Sequence, residues 1–416
     1  MGCGLVPDLD GDTDSESGGT AGTDEPTATA GMDEGSGTDM PIDVGMDSDS
    51  DSGGEATERA VDIVFIVDNS GSMSEEQAKL AQSIGTLVSA LDAAVPPVDY
   101  RIAVTTTDSG NPWCSETTSP ESGTFRATSC RERTGEFVFN GAMMINSIDE
   151  ACFAVCEQDQ LGLTEPWIDV SRSTGTTNVP GDDVVSALSC MLPQGINGCG
   201  FEQPLESLSL ALARAQTPGE LNEGFLRPGA LLAVALVTDE VDCSYNPEYQ
   251  TIFLPEGNRV FWSDPDSPAP SSAVCWNAGV QCTGAGGTYD DCTAVDLDVD
   301  GDPVAGDPDQ DAVLRPIAGY IEELSSRGAF MMAINGVAAD GSPVYADSPT
   351  DPDFQGDFGI GPGCNAPSGS AVPPVRVREV VEAVTGPGNL YSVCDDDFSP
   401  ALTSLAQGIV LRLPAE

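Results

Sequence analysis

The sequence predicts an α/β fold, with an open and mostly parallel sheet and helices on both faces. Strand-like and helix-like segments alternate from residue 60 to the end of the chain. Two of the strand segments, "DIVFIV" (62–67) and "GALLAVALVTDE" (229–240), are strongly apolar runs. Such runs are typical of parallel strands that are buried on both faces, and alternation with helices builds a sheet covered on both sides.

The other elements follow in chain order. The first helix is predicted from apolar residues at helical spacing between Leu80 and Leu91, and Ser74 with Gln77 has the spacing of a capping box. Further strands are predicted at 100–108, 329–336 and 388–394, and further helices at 182–192, 204–215, 314–328, 375–384 and 401–411. Functional groups of such sheets lie beyond the carboxyl ends of the strands.

Three long insertions interrupt the alternation, at roughly 108–180, 243–312 and 338–372. They hold most of the cysteines and many Pro and Gly residues. Loops of this length are usually functional or cross-linked. We therefore interpret the three insertions as Cys-rich surface elaborations of one domain that covers residues 59–416.

Twelve of the 13 cysteines lie between positions 114 and 394. An even number suggests disulfides formed in an oxidising compartment. Zinc ligation is the competing interpretation, although paired Cys-x-x-Cys motifs are missing from the sequence. The spacing of Cys152 and Cys156 would place both thiols on one helical face, which suits neither a zinc knuckle nor a mutual disulfide.

Residues 1–58 contain no Lys or Arg and few large apolar side chains. Such a segment buries too little surface to offset chain entropy, so we expect a disordered acidic tether. The start "MGCG" is similar to the end of a bacterial lipoprotein signal, which would make Cys3 a lipidation site. A myristoylation signal fits less well, because Val6 stands where Ser or Thr is required. The expected location is extracytoplasmic, at a bacterial outer membrane or cell surface.

The composition excludes several functions. The chain has 68 acidic and 15 basic residues, with a net charge of −53. It therefore offers no basic surface for nucleic acid or for an anionic membrane. There is no histidine, so neither a Ser-His-Asp or Cys-His relay nor a His-ligated zinc can form. No apolar stretch is long enough to span a membrane.

Oxygen-bearing side chains gather where the two most apolar strands end. Asp68, Ser70 and Ser72 alternate along the turn after the first strand, and Asp239 ends the other. Carboxylates and hydroxyls form a hard ligand set that suits Mg²⁺, Ca²⁺ or Mn²⁺. Without a cation, the two carboxylates would repel each other. We therefore predict a divalent-cation site at this edge of the sheet.

These residues carry a resemblance to a known family. "DNSGSM" (68–73) resembles the D-x-S-x-S signature of von Willebrand factor type A (VWA) domains, and "LLAVALVTDE" (231–240) is similar to their later acidic strand end. The resemblance implies a Rossmann-like VWA fold with a metal-ion-dependent adhesion site (MIDAS). Asp68, Ser70 and Ser72 would form its first ligand loop and Asp239 its third. It also implies that a carboxylate of a protein partner often completes the metal's coordination shell.

One departure from the family pattern concerns the second loop. Members usually supply a Thr there, whereas this chain has "GINGCGFEQPLES" (195–207). Glu202 is the nearest oxygen donor and is the expected substitute, which would favour Ca²⁺ and repel an acidic ligand. Thr176 and Thr177 are less suitable, because they precede the preceding helix.

A second acidic cluster, "DLDVDGDPVAGD" (296–307), has the spacing of half an EF-hand loop. Asp296, Asp298 and Asp300 match its first positions, and Asp307 stands where the bidentate Glu belongs. Pro303 disturbs the pattern. A calcium-stabilised insertion and a solvated acidic loop both remain open.

The resemblance implies a non-enzymatic, exported protein that binds a macromolecular partner through the cation. One alternative is a metal-dependent hydrolase that uses the same ion, with Asp242 or Glu240 as the base. The absence of His and of an evident nucleophile disfavours it. The other alternative is a structural envelope protein in which the metal only stabilises the fold.

Overall fold

The computed structural model describes residues 59–114, 117–140, 144–284, 287–367 and 369–415, which belong to one compact unit. Within these ranges the strands are β1 (Ala60–Val67), β2 (Asp99–Thr106), β3 (Val138–Asn140), β4 (Met144–Asn146), β5 (Ile168–Ser171), β6 (Thr176–Thr177), β7 (Leu231–Val237), β8 (Val280–Gly284), β9 (Tyr289–Ala294), β10 (Phe330–Asn335), β11 (Cys364–Ala366), β12 (Gly369–Ala371) and β13 (Leu390–Ser392).

The α-helices, in the same ranges, are α1 (Ser74–Asp92), α2 (Val184–Met191), α3 (Pro204–Gln216), α4 (Ala273–Gly279), α5 (Pro308–Asp311), α6 (Ile317–Ser326), α7 (Pro352–Phe358), α8 (Val375–Thr385) and α9 (Ser399–Arg412). Two 3₁₀ segments (Cys130–Phe137 and Pro247–Phe253) and one π-helical turn (Ile148–Phe153) lie in the first two insertions.

Seven strands form the central sheet, in the order β13-β10-β7-β1-β2-β5-β6. The five from β13 to β2 are parallel, and β5 and β6 each pair antiparallel to their neighbour. Val67 lies level with Thr106 of β2 and with Val237 of β7. The residues that follow these three strands therefore meet at one carboxyl edge.

Helices cover both faces of the sheet, as predicted. Alternate residues of β1 point to opposite sides. Ile63 and Phe65 are fully buried in the core under α1, α2 and α9, and Val64 and Ile66 in the core under α3, α6 and α8. This two-sided burial explains why β1 is apolar along its whole length.

All twelve cysteines between 114 and 394 form disulfides, which confirms the disulfide-rich prediction and excludes zinc ligation by these thiols. The pairs are Cys114–Cys199, Cys130–Cys152, Cys156–Cys190, Cys243–Cys275, Cys282–Cys292 and Cys364–Cys394. Neighbouring Cys152 and Cys156 bond to different partners. Each of the six bridges ties an insertion to itself or to the rest of the domain; Cys156–Cys190, for example, links the first insertion to α2.

The capping-box prediction is wrong. Helix α1 begins at Ser74, but its N-cap is Met73, and no side chain caps it. Gln77 is instead completely buried, and its amide bonds to two loops at the carboxyl edge of the sheet. The predicted strands and helices of the sheet framework are otherwise present, with ends that differ by up to three residues.

In the described part of the chain, no helix combines the length and the apolar character needed to cross a membrane. The predicted tether and Cys3 lie outside the described residues.

Candidate metal centre

Three loops meet at the carboxyl edge of the sheet: the first loop (68–73) after β1, the second loop (195–203) before α3, and the third loop (238–242) after β7. The register positions them. Asp68 donates its backbone N–H to Val237 O (2.9 Å), and Thr107 donates to Val67 O (3.3 Å). The first residues after β1, β2 and β7, namely Asp68, Thr107 and Thr238, therefore lie side by side.

The first loop folds around the carboxylate of Asp68, which is fully buried. One oxygen accepts a hydrogen bond from the backbone N–H of Ser70 (2.7 Å), and the other from the hydroxyl of Thr238. The hydroxyl oxygens of Ser70 and Ser72 lie 3.3 Å apart. Burial raises the pKa of Asp68, and the hydrogen bonds from Thr238 and Ser70 oppose that shift.

Gln77 and Asn69 fasten the first loop to the second. The Gln77 amide donates to the backbone carbonyls of Asp68 and Gly195 (both 2.7 Å), while its oxygen accepts from the N–H of Gln194 (2.8 Å). Gly198 donates to the carbonyl of Asn69 (2.8 Å), and a Cβ on Gly198 would lie only 2.4 Å from the Asn69 side chain. Glycine at 198 thus permits the close approach of the two loops.

The second loop brings Glu202 to Asp68. Glu202 is fully buried, and one of its oxygens accepts a hydrogen bond from the Thr107 hydroxyl. It lies close enough to Asp68 for the two carboxyl groups to interact electrostatically. Burial, and then the charges of Asp68 and Asp108, raise the pKa of Glu202 well above its usual range.

The third loop adds two carboxyl groups. Asp239 interacts with the Ser72 hydroxyl, and burial followed by the charges of Asp68 and Glu76 raises its pKa well above its usual range. Burial, and then the charges of Asp239 and Asp68, also raise the pKa of Glu240 well above its usual range. Four carboxyl groups therefore share a small region in which each disfavours the ionisation of another.

The oxygens of this cluster can accommodate a cation. Oε1 of Glu202 and Oδ1 of Asp239 are buried, and no N–H or O–H group of the described residues donates to either. Buried oxygens without a donor are costly unless something else compensates them. Among the described residues, no group of three or more Asp, Glu, Cys or His side chains is placed so that these side chains alone could hold a metal ion. A cation here therefore also needs the Ser70 and Ser72 hydroxyls.

The structure brings Asp68, Ser70, Ser72, Asp239 and Glu202 to one place, whereas other predicted residues lie elsewhere. Thr176 and Thr177 form the edge strand β6. Asp242, considered as a base, is fully buried and pairs with Arg376 at 2.9 Å, while its other oxygen accepts from Ser244 (2.6 Å).

The second acidic cluster is not assembled into a group of three carboxylates that could hold a metal, as far as the described residues show. Asp298 accepts hydrogen bonds from the backbone N–H groups of Asp300 and Asp302 (both 3.0 Å). Asp307 caps the short helix α5 through Asp309 N–H (3.2 Å). Asp296 is partly buried.

Sequence reasoning missed Thr107, Thr238 and Gln77. The first two could have been found, because each directly follows the end of a strand at the same edge as Asp68. Gln77 lies three residues before Leu80 and seven before Ile84, and thus in the buried stripe of α1. A polar residue in such a stripe indicates a buried hydrogen-bonding role.

Comparisons with known proteins give limited similarity. No protein-family model and no curated protein matches the chain. Among solved structures, the pilus adhesin SpaC of Lactobacillus rhamnosus GG in its open conformation matches with 11% identity and a TM-score of 0.36. The match covers 85% of this chain and 30% of the adhesin. A second structure of the same adhesin has 14% identity and a TM-score of 0.31, with 85% and 31% covered.

This chain thus spans less than a third of the length of SpaC. TM-scores below 0.5 do not establish a common fold, so we base the functional proposal on the residues of the site.

Proposed function

We propose that this chain is a VWA-type protein that binds a divalent cation through Asp68, Ser70, Ser72 and Asp239, with Glu202 in place of the usual Thr. The cation site would bind a macromolecular partner, and the activity would be binding and not catalysis. The D-x-S-x-S turn and the order of strands and helices support this assignment.

One observation carries the proposal: Glu202 and Asp239 each keep a buried oxygen without a donor beside Asp68, which is itself fully buried. Carboxylate and hydroxyl oxygens are the ligands that Ca²⁺, Mg²⁺ and Mn²⁺ prefer. When bound, the cation supplies positive charge and a coordination position for an oxygen from outside the chain. Three acidic candidates favour Ca²⁺, which tolerates larger and less regular ligand sets than Mg²⁺.

The protein's own residues prepare the site. Thr238 and the Ser70 N–H orient the Asp68 carboxylate, and Thr107 orients Glu202. Gln77 fixes the first loop against the second. Two disulfides anchor the ends of these loops: Cys114–Cys199 holds the second loop, and Cys243–Cys275 holds the chain directly after the third. These contacts hold the oxygens in place before any ion arrives.

The six disulfides support an exported, surface-exposed protein, because such bonds persist in oxidising compartments. Attachment through Cys3 is part of this proposal.

An affinity pull-down from the native host's surroundings tests the function. Immobilised wild type should capture a partner in calcium and lose it in EDTA, while Asp68→Ala should capture none. Asp149→Ala, an exposed residue, is the matched control and should behave as wild type. Capture that survives both EDTA and Asp68→Ala would contradict the proposal.

Two further outcomes separate the alternatives. A large loss of thermal stability in Asp68→Ala, without any captured partner, would favour a structural metal. Metal-dependent turnover of an ester or phosphate substrate would overturn the assignment as a binding protein.

A further inference from the structure

A cavity of about 180 Å³ opens beside the first loop. Its floor is formed by Ser70, Gly71 and Ser72, so it borders the candidate metal centre directly. Its walls are largely apolar and come from separate parts of the chain. They include Trp113, Phe139, Ile145, Phe201 and Phe358.

Packing holds these walls in place. The Phe139 ring covers Gly71, where an added Cβ would lie 3.5 Å from the ring. Phe201 stacks edge-on against Phe253, with ring centroids 5.0 Å apart. The rings of Phe358 and Phe354 lie 4.5 Å apart. The cavity is therefore formed in the protein alone, and a ligand need not create it.

The charged groups at the cavity are acidic. Glu240 and Asp357 line it, and among its described lining residues there is no Lys or Arg. The charge of a divalent cation at the metal centre would be neutralised by Asp68 and Asp239. The remaining acidic residues, Glu202, Glu240 and Asp357, would then make the net charge of this region negative. The chain as a whole has 68 acidic and only 15 basic residues, and this negative charge also favours the approach of a cationic ligand.

We propose that this cavity binds a basic side chain, lysine or arginine, of a protein partner. The inference rests on the proposed function, since it specifies the partner of that same surface. The alkyl part of the side chain would pack between the aromatic rings, with its charged end near Asp357 and Glu240. Cations are attracted to aromatic faces and to carboxylates, and both are present here.

This proposal departs from the acidic ligand that the family resemblance implies. A carboxylate placed in the cavity meets Glu240 and Asp357 in its walls, and like charges in a poorly hydrated site repel strongly. The first insertion supplies Trp113 and Phe139, and the third supplies Phe358. The insertions thus give this edge of the sheet a recognition surface of its own.

Ligand-detected NMR on the calcium-loaded protein tests the proposal with three small probes at constant ionic strength. The probes are n-butylammonium, n-propylguanidinium and butyrate. We expect both cations to bind and butyrate not to bind. Asp357→Asn should weaken cation binding by roughly fivefold, whereas Asp353→Asn on the exposed side of the same helix should leave it unchanged.

A second pair of variants reports on the rings. Phe358→Leu keeps an apolar wall but removes the aromatic face, and should weaken the cations by roughly threefold. Phe153→Leu, a more exposed ring outside the cavity, should have no effect. These variants change little buried volume, and a thermal melt of each confirms that it folds.

Calcium titration of the same samples separates this inference from the proposed function. If calcium binds but neither cationic probe does, the proposal for the cavity fails and the metal site stands. If butyrate binds more tightly than the cations, the proposal also fails. If Asp68→Ala removes cation binding while Asp357→Asn does not, the probes occupy the metal site and the cavity assignment is wrong.

Discussion

Asp68 and Glu202 are both fully buried at the carboxyl edge of the sheet, and the charge of Asp68 raises the pKa of the Glu202 carboxyl group. Two carboxylates in such a site can coexist only with a shared proton or a nearby cation. The candidate metal centre is therefore predicted to be a site where protons and divalent ions compete.

This competition predicts a pH dependence for the metal-free protein. Burial and neighbouring charges raise the folded-state pKa values of Glu202, Asp239 and Glu240. The folded state then holds more protons than the unfolded chain, so the free energy of unfolding should fall as pH rises above the ordinary carboxyl range. Urea unfolding in EDTA at pH 5 and pH 7.5 measures this change.

Glu202→Gln removes one of the titrating groups, so the pH-dependent loss of stability should become smaller, and the exposed Glu150→Gln is its control. Calcium must displace the protons, and its affinity should therefore increase with pH. A metal-free stability that is equal at both pH values would contradict this account of the cluster.

Gln77 should be essential for loop geometry. Gln77→Leu keeps the buried volume but leaves the carbonyls of Asp68 and Gly195 and the N–H of Gln194 without partners. Each buried unpaired group costs about 1–3 kcal/mol, so we expect a loss of roughly 3 kcal/mol or more in the free energy of unfolding. Gln216→Leu, exposed on α3, should be close to neutral by urea denaturation.

The buried ion pair of Asp242 and Arg376 should contribute to the stability of the fold and not to metal binding. Removing one partner leaves an uncompensated buried charge, so Asp242→Ala should cost roughly 3–5 kcal/mol. Chemical denaturation measures the loss, and calcium calorimetry on the folded variant should show an affinity near that of wild type. A stable variant with abolished calcium binding would instead make Asp242 a member of the metal centre.

The Cys114–Cys199 disulfide should contribute more stability than the hairpin disulfide Cys282–Cys292. The sequence separations are 85 and 10 residues. In the chain-entropy model these loops correspond to roughly 4.6 and 2.7 kcal/mol. Thermal melts of the two double Cys→Ser variants test the order, and a larger loss for the hairpin pair would contradict it.

The sheet framework could be predicted because its signals are local. The apolar run of β1, the periodic apolar face of α1 and the acidic ends of β1 and β7 are visible in the sequence. The position of Glu202 near this edge also follows from its place just before α3. The same logic, applied to every strand end, would have added Thr107 and Thr238.

Other features depend on distant parts of the chain and carry no local signal. The twelve cysteines allow many pairings, and only folding brings Cys114 next to Cys199. The cavity walls come from Trp113, Phe139, Phe201 and Phe358, which are far apart in sequence. Ser74 and Gln77 have the spacing of a capping box, which is why the sequence predicts one. The prediction is wrong because Gln77 is buried and bonds to the loops instead of capping the helix.

Calorimetric titration of Ca²⁺ into metal-free wild type and Asp68→Ala tests the central claim most directly. We predict one ion bound per chain at this site in wild type and no binding there in Asp68→Ala. The variant should remain folded, because losing Asp68 also removes like-charge repulsion with Glu202 and Asp239. Equal calcium affinity in the two proteins would contradict the assignment of the metal centre.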